Sequence, residues 1–366
     1  MSIRGNVNGL IVNARFLTQR MTGVQRYAIE VSRRLKAMRP DIRFLAPKGI
    51  IHTAVAQEIG AETVGRLHGH AWEQLELPRY LAGSGLINLC NAAPITVTRQ
   101  IVTIHDAAPF AVPEAYSRAF VLWYRFLTRR LGTRAAGIVT VSQFSADELT
   151  RYMKIPSTRI DVVPLGSEHV RAVPADVTII AKHRLDDRPF LLAVGSHSPH
   201  KNFATLVRAA ERLGDLPFRF VMAGGADPRV HASAPEALTS SHVLHVGGVS
   251  DAQLRALYEQ AAGYVHPAYY EGFGLPPLEA MTLGCPVLTS NAASLPEVCG
   301  DAADYFNPFD NCGIVNAIQT FMRNDARRRQ LSIMGLERSK QFSWDNCAQS
   351  VLSIAESRLN LTALPK

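Results

Sequence analysis

The residues best suited to chemistry lie between Ala262 and Pro308, where Glu271 and Glu279 flank a turn carrying Gly272 and Gly274. Tyr264 and Val265 read as a short apolar strand that stops at His266-Pro267, and Pro276-Pro277 predicts the opening of a helix ended by Gly284. A strand, a glycine turn and a helix N-terminus form an anion site, because unpaired backbone N–H groups and the helix dipole both favour negative charge there. A phosphate group fits that description. Glu279, about one turn inside the helix, lies eight positions after Glu271 on the turn, so both carboxylates can face one ligand and accept hydrogen bonds from sugar hydroxyls. Taken singly, the glycines read equally as an ordinary turn and Glu279 as a solvated helix face; the combination carries the weight.

Further candidates occupy the ends of other expected strands. His105-Asp106 ends a strand over 101–104, and ligands of open parallel sheets bind beyond the carboxyl ends of strands. Lys201 lies in a loop after a strand over 190–195, and Thr22, Gly23 and Val24 precede a helix whose apolar stripe runs through Tyr27, Ala28, Val31 and Leu35. A solvated lysine, an orienting Asp beside a structural histidine, and a purely structural first turn are the plain alternatives.

The segment EGFGLPPLEA followed by GCPVLTSNAASLPEVCGDAADYFNP resembles the donor-site signature of retaining glycosyltransferases of family 4, which share the GT-B fold. Similarity to bacterial mannosyltransferases of polysaccharide biosynthesis extends over nearly the whole chain, through TGVQRY, IHDAAPF and a loop ending in Lys201-Asn202. The resemblance implies an α/β chain with two Rossmann-like parallel-sheet domains facing across a deep cleft. It implies that Glu279 binds ribose hydroxyls, and that Glu271 with the amides of Gly272, Phe273, Gly274 and Leu275 holds the donor sugar and diphosphate. It further implies that Lys201 neutralises the diphosphate, that His105 reaches the donor sugar, and that Thr22, Gly23 and Val24 lie beside the diphosphate. Asp106 is assigned a supporting or acceptor-side role. The family often carries an arginine in the phosphate loop; His200 and Ser196 stand here instead.

The chain then has to supply elements that position these groups. Its 366 residues, 47% apolar and 19% charged, suffice for two full cores and argue against disorder. The expected division is 1–170, 171–343 and a final segment 344–366 crossing back to the N-terminal domain, with residues 165–187 as linker. A capped helix within 142–153 is expected, with Ser145 as its N-cap, and AWEQLELPRYL is read as packing. No apolar run approaches the roughly 20 residues that span a bilayer, and no signal-peptide core is present, so a cytoplasmic protein is expected. Five scattered cysteines and the absence of a ligand-spaced histidine cluster lead to the expectation of no metal and no other cofactor.

Charge is distributed unevenly. Residues 1–170 hold 21 Lys and Arg against 12 Asp and Glu, whereas residues 171–366 hold 18 against 19. A basic half implies an acidic partner. Residues 117–136 interleave Phe120, Trp123, Tyr124 and Phe126 with Arg118, Arg125, Arg129, Arg130 and Arg134, a pattern suited to peripheral binding on an anionic membrane, or equally to a core stripe with solvated arginines. Nucleic acid is not expected as a partner, since no recognised module accompanies the charge. The expected activity is transfer of a hexose, with mannose from GDP-mannose favoured, from a nucleoside diphosphate sugar to a glycan or lipid-linked oligosaccharide. A sugar-nucleotide epimerase of the same fold and a basic nucleic-acid-binding protein are the alternatives.

Overall fold

The computed structural model describes residues 9–225 and 240–361. Part of the first expected strand, Val7 and Asn8, lies outside them. Two compact units are formed by the described parts of Met1–Ala107, Leu122–Gly166 and Trp344–Lys366, and of Ala108–Val121 and Ser167–Ser343.

The first unit holds seven parallel strands: β1 (Leu10–Asn13), β2 (Arg43–Ala46), β3 (Ala61–Thr63), β4 (Gly85–Asn88), β5 (Gln100–Thr103), β6 (Gly137–Thr140) and β7 (Ile160–Val162), in the order β3-β2-β1-β4-β5-β6-β7. The second unit holds six: β8 (Phe190–Val194), β9 (Arg219–Ala223), β10 (Val243–Gly247), β11 (Gly263–His266), β12 (Val287–Ser290) and β13 (Ala303–Phe306), in the order β10-β9-β8-β11-β12-β13. Parallel strands need helical crossovers that cover both sheet faces, which is why β1, β4, β5 and β6 are buried along their whole length.

Alternation along the strands divides the second core in two. Leu191, Phe220, Val265 and Leu288 pack with Phe203, Leu206, Ile318 and Phe321 on one face. Leu192, Val221, Tyr264 and Val287 pack with Tyr258, Ala280 and Met281 on the other. In each sheet the first strand sits between the second and the fourth, so the chain winds outward in both directions from that point. Such a switch opens a crevice beyond the carboxyl ends of the two central strands, β1 and β4 in one unit and β8 and β11 in the other.

Three details differ from expectation. Residues 108–121 group with the second unit, where the Tyr116 ring stacks 6.1 Å from that of His200. The expected linker 165–187 contains a 3-10 turn, Glu168–Arg171, and a short helix, Thr178–Lys182, because Val170, Ile179 and Leu185 are apolar enough to bury against the second unit. The helix Gln143–Met153 begins earlier than expected: Ser142 is its N-cap, with Oγ accepting the Ser145 N–H at 3.0 Å, and Ser145 lies buried inside the first turn.

The closing helix, Trp344–Arg358, packs along the first unit's helix Gly23–Met38. Arg34 reaches Asp345, Arg39 reaches Glu356 at 2.7 Å, and the fully buried Trp344 tilts against Tyr27 with ring centroids 6.2 Å apart. Truncating a buried tryptophan forfeits its burial and leaves a cavity, together about 3–5 kcal/mol. Trp344→Ala is therefore expected to lower the thermal unfolding midpoint strongly; a change of under about 1 kcal/mol in denaturant titration would show that this helix is not an anchor.

Candidate functional site

The second unit brings the expected donor-side residues together at its switch point. β11 delivers His266, the following turn delivers Glu271 to Gly274, and the helix Leu275–Thr282 carries Glu279. Gly274 has φ +100°, and a Cβ there would stand 2.9 Å from Leu295 Cδ2, so this turn needs glycine. The helix starts at Leu275, one residue before the prolines. Pro276 and Pro277 therefore occupy its first turn without N–H groups, and the donors left for an anion are those of the turn and Leu275 rather than of a full helix N-terminus.

Glu271 sits in a relay. Its Oε2 accepts from Lys201 Nζ at 2.6 Å and lies 3.0 Å from His266 Nε2, while His266 Nδ1 lies 2.9 Å from the Tyr264 hydroxyl. A carboxylate only accepts, so Nε2 carries the proton and Nδ1 accepts from tyrosine. Burial lowers the pKa of His266 and keeps the ring neutral at pH 7. For Glu271, burial pushes the pKa up, but the Lys201 charge and the His266 hydrogen bond overrule it and hold the group well below its ordinary 4.5.

Glu279 is also buried, with each oxygen engaged: His169 Nε2 is 3.0 Å from Oε1, and the Tyr258 hydroxyl donates to Oε2 at 3.1 Å. His169 belongs to the 3-10 turn in the expected linker. That turn is clamped along the Glu279 helix by Ser167 Oγ at 2.5 Å from Thr282 Oγ1 and by Arg171 donating to the Thr282 carbonyl. On the other side, the loop bearing Lys201 is tied to the Glu271 turn: Asn202 Nδ2 donates to Pro267 O at 3.1 Å, and Tyr269 N donates to His200 O at 3.0 Å. Gly224, after β9, has no room for a side chain, because a Cβ there would fall 2.1 Å from Gly195 O.

Thr22, Gly23, Val24, His105 and Asp106 belong to the first unit. Thr22 and Gly23 are the N-cap and first residue of Gly23–Met38, and Thr22 Oγ1 bonds to Gln25. His105 follows β5 as expected, but it is buried, with Nε2 donating to Leu89 O at 3.0 Å and its ring set edge-on to Tyr27 at 4.8 Å. Burial lowers its pKa to about 4, so it remains neutral and does not serve as a general acid at pH 7.

Four residues of the networks around Glu271 and Glu279 were not site candidates in the sequence: Tyr264, His266, His169 and Tyr258. The first two stand on the strand that leads into the motif, and a polar alternation on an otherwise apolar strand was the available signal. For His169 and Tyr258 no local signal exists.

Residues 21–171 match the family described as Glycosyltransferase Family 4, and residues 177–338 match Glycosyl transferases group 1. O-antigen chain mannosyltransferase B of Escherichia coli is 32% identical over 269 residues, spanning 71% of each chain. The chain belongs to glycosyltransferase family 4. O-antigen chain mannosyltransferase RfbU of Salmonella typhimurium is 25% identical to this glycosyltransferase, over 95% of the chain and all of that relative. The serotype-specific mannosyltransferase WbdA of Escherichia coli is 32% identical over 68% of the chain, which spans only about a third (32%) of that protein. Among solved structures, sucrose-phosphate synthase from Thermosynechococcus elongatus superposes with a TM-score of 0.74 at 19% identity, covering 96% of this chain and 99% of that one. Anabaena HepE, in complex with UDP-glucose, gives 0.75 at 14% identity, covering 95% and 99%. The enzyme therefore has the GT-B fold.

The relay makes a pH prediction. A carboxylate whose folded pKa is depressed stabilises the fold above its unfolded value, near 4.5, and that contribution is lost as pH falls toward the folded value. Lys201→Met removes the largest lowering influence on Glu271. The variant is expected to melt well below the parent at pH 7, with the gap narrowing as pH drops below 4.5; a gap independent of pH between 7 and 3 would mean that charge pairing is not what Lys201 contributes.

Proposed function

We propose that this enzyme transfers a hexose, with retained anomeric configuration, from a nucleoside diphosphate sugar to a hydroxyl of a bacterial polysaccharide or lipid-linked oligosaccharide. GDP-mannose is the favoured donor, a choice supported by relatives named as O-antigen mannosyltransferases. The observation that carries the reading is the pair of glutamates at the switch point of the second unit, one half-buried beside a lysine on a glycine turn and the other buried inside the following helix. Glu279, with both oxygens pre-oriented by His169 and Tyr258, accepts from ribose hydroxyls. Lys201 and the amides of Gly272, Phe273, Gly274 and Leu275 hold the diphosphate and stabilise the negative charge that grows on it as the sugar–phosphate bond breaks.

Glu271 is held on one oxygen by Lys201 and His266, an arrangement suited to orienting a sugar hydroxyl rather than to attacking the anomeric carbon. A retaining double displacement needs a carboxylate free to bond that carbon, and an inverting reaction needs a base on the far side. We therefore assign front-face transfer, with the leaving phosphate taking the acceptor proton, and no metal requirement, since fixed cations and amides occupy the place of a metal clamp. The test joins three readouts. GDP-mannose is expected to raise the melting temperature more than UDP-glucose, by mass action. Proton NMR of the product is expected to show the donor's configuration, and turnover to survive EDTA. An inverted product sinks the mechanism, and magnesium- or manganese-restored activity after EDTA sinks the metal-free site.

Peripheral binding to an anionic membrane forms the remaining part of the proposal. The helix Arg118–Arg134 exposes Leu122 to 70% and Phe126 to 45% between Arg125, Arg129 and Arg130. Apolar side chains bracketed by arginines suit a headgroup boundary, each arginine adding roughly 1 kcal/mol near an anionic surface. No helix among the described residues is long and apolar enough to cross a membrane. Flotation with vesicles containing phosphatidylglycerol is expected to capture the enzyme at low salt, and Arg125→Ser, Arg129→Ser and Arg130→Ser together to abolish capture. Equal binding to neutral vesicles would count against it.

A further inference from the structure

Glu271 is held by more partners than its charge requires. Lys201 Nζ at 2.6 Å and His266 Nε2 at 3.0 Å both meet Oε2, whereas Oε1 has no partner among the described residues. The Lys201 side chain is 18% exposed and that of His266 only 1%, so a ligand can reach the lysine but not the imidazole. Behind the ring, the Tyr264 hydroxyl lies 2.9 Å from His266 Nδ1 and 3.4 Å from the carbonyl of Val194, the last residue of β8. One hydroxyl proton therefore has two acceptors within reach. Lysine alone neutralises Glu271, so the buried tyrosine and histidine are surplus to the resting ion pair, and apolar side chains in their place would avoid the desolvation of polar ones.

We propose that His266 is a positioning residue that takes over Glu271 when a diphosphate draws Lys201 away, gaining a proton at Nδ1 so that the carboxylate keeps a cationic partner; the assignment rests on the glycosyl-transfer reading above. Without ligand, Nε2–H donates to Glu271 and the tyrosine hydroxyl donates to Nδ1. A diphosphate brings two negative charges to the turn, and Lys201, whose ammonium is bonded only to Glu271 among the described residues, turns to them. Glu271 is then a largely buried carboxylate without its cation, a state that low dielectric penalises. His266 answers by taking one proton from solvent. Nε2–H stays on Glu271, Nδ1–H donates to the tyrosine oxygen, and the tyrosine hydroxyl turns to Val194 O, so every polar atom remains paired and Oε1 stays open to a sugar hydroxyl. Burial and the Lys201 charge hold the pKa of His266 down against the pull of Glu271, so cancelling the lysine charge raises it. The groups facing the ring are Lys201 from the loop after β8, Glu271 from the turn and Tyr264 on its own strand; Glu279, Tyr258 and Cys299 surround Tyr264 in turn. Lys201 is the one cation among them.

Titration calorimetry of the enzyme with GDP-mannose and with UDP-glucose, run at pH 7 in phosphate and in Tris, tests the exchange. Both probes carry only phosphodiester groups, which stay ionised, so a heat that depends on the buffer reports protons taken up by the protein. The parent is expected to take up about half a proton per nucleotide bound. His266→Gln, whose amide still donates to Glu271 but gains no charge, is expected to bind the nucleotide and lose the uptake. Histidine NMR of the parent checks the same point without a substitution: one imidazole is expected to pass from neutral toward charged as nucleotide is added, and in Lys201→Met an imidazole is expected to titrate at higher pH before any is added. Nucleotide binding with equal heats in the two buffers, uptake unchanged in His266→Gln, or imidazoles that all keep their charge state overturns the proposal. Failure of the parent to bind either nucleotide instead overturns the glycosyl-transfer reading, so the two failures are distinguishable.

Discussion

The structure depends above all on the cost of burying carboxylates at the ends of parallel strands. Glu73 and Glu279 are buried and Glu271 keeps only 13% of its side chain exposed, and an isolated buried carboxylate costs several kcal/mol or gives up its charge. Each is met by at least two donors drawn from separate parts of the chain: Asn13, Arg15 and His70 for Glu73; Lys201 and His266 for Glu271; His169 and Tyr258 for Glu279. The elements that carry those donors cannot drift without stranding a charge. Clamps that would otherwise seem incidental, such as Ser167 on Thr282 and Asn202 on Pro267, follow from this requirement.

Charge accounting shows how the second unit can take an anion. Lys201 is already paired with Glu271, and Glu279 adds a second carboxylate, held by His169 and Tyr258. The two prolines delete the N–H groups of the helix's second and third positions, so the backbone donors open to an anion are those of the turn and of Leu275. Gly274 makes that turn possible, since its φ of +100° lies in the left-handed region.

Local pattern explains what could be read from the sequence. β-α alternation, the glycine turn, the two glutamates and the lysine loop are all written in short windows, and the elements found agree with them to within a few residues. Partners across the fold leave no such trace: His169 and Glu279 stand 110 residues apart, and Arg15 and Glu73 stand 58 apart. Composition misled in two places. A proline-containing polar stretch reads as linker although His169 is pinned within it, and a tryptophan- and leucine-rich stretch reads as core although Glu73 turns inward from it. The same limit applies to His105, whose position at a strand end was legible but whose bond to Leu89 O was not.

The closing helix ties the two ends of the chain to one sheet. Leu359 lies against Gly85 on β4, where an added Cβ would come within 2.6 Å of its side chain, and Arg358 bonds to Asp161 on β7 and packs over Gly137 on β6. Trp344 supports Tyr27, and Tyr27 in turn holds the edge of His105 and places its hydroxyl 3.2 Å from Thr103 Oγ1. The glycines on β4 and β6 make room for side chains that follow the second unit along the chain. The first sheet therefore has its strands early but lacks part of its packing until residues 344–361 are made, whereas the second unit takes everything it needs from residues 108–121 and 167–343. Domains usually complete in the order of synthesis; here the first unit draws part of its packing from beyond the whole second unit, because the helix Trp344–Arg358 packs along its helix Gly23–Met38.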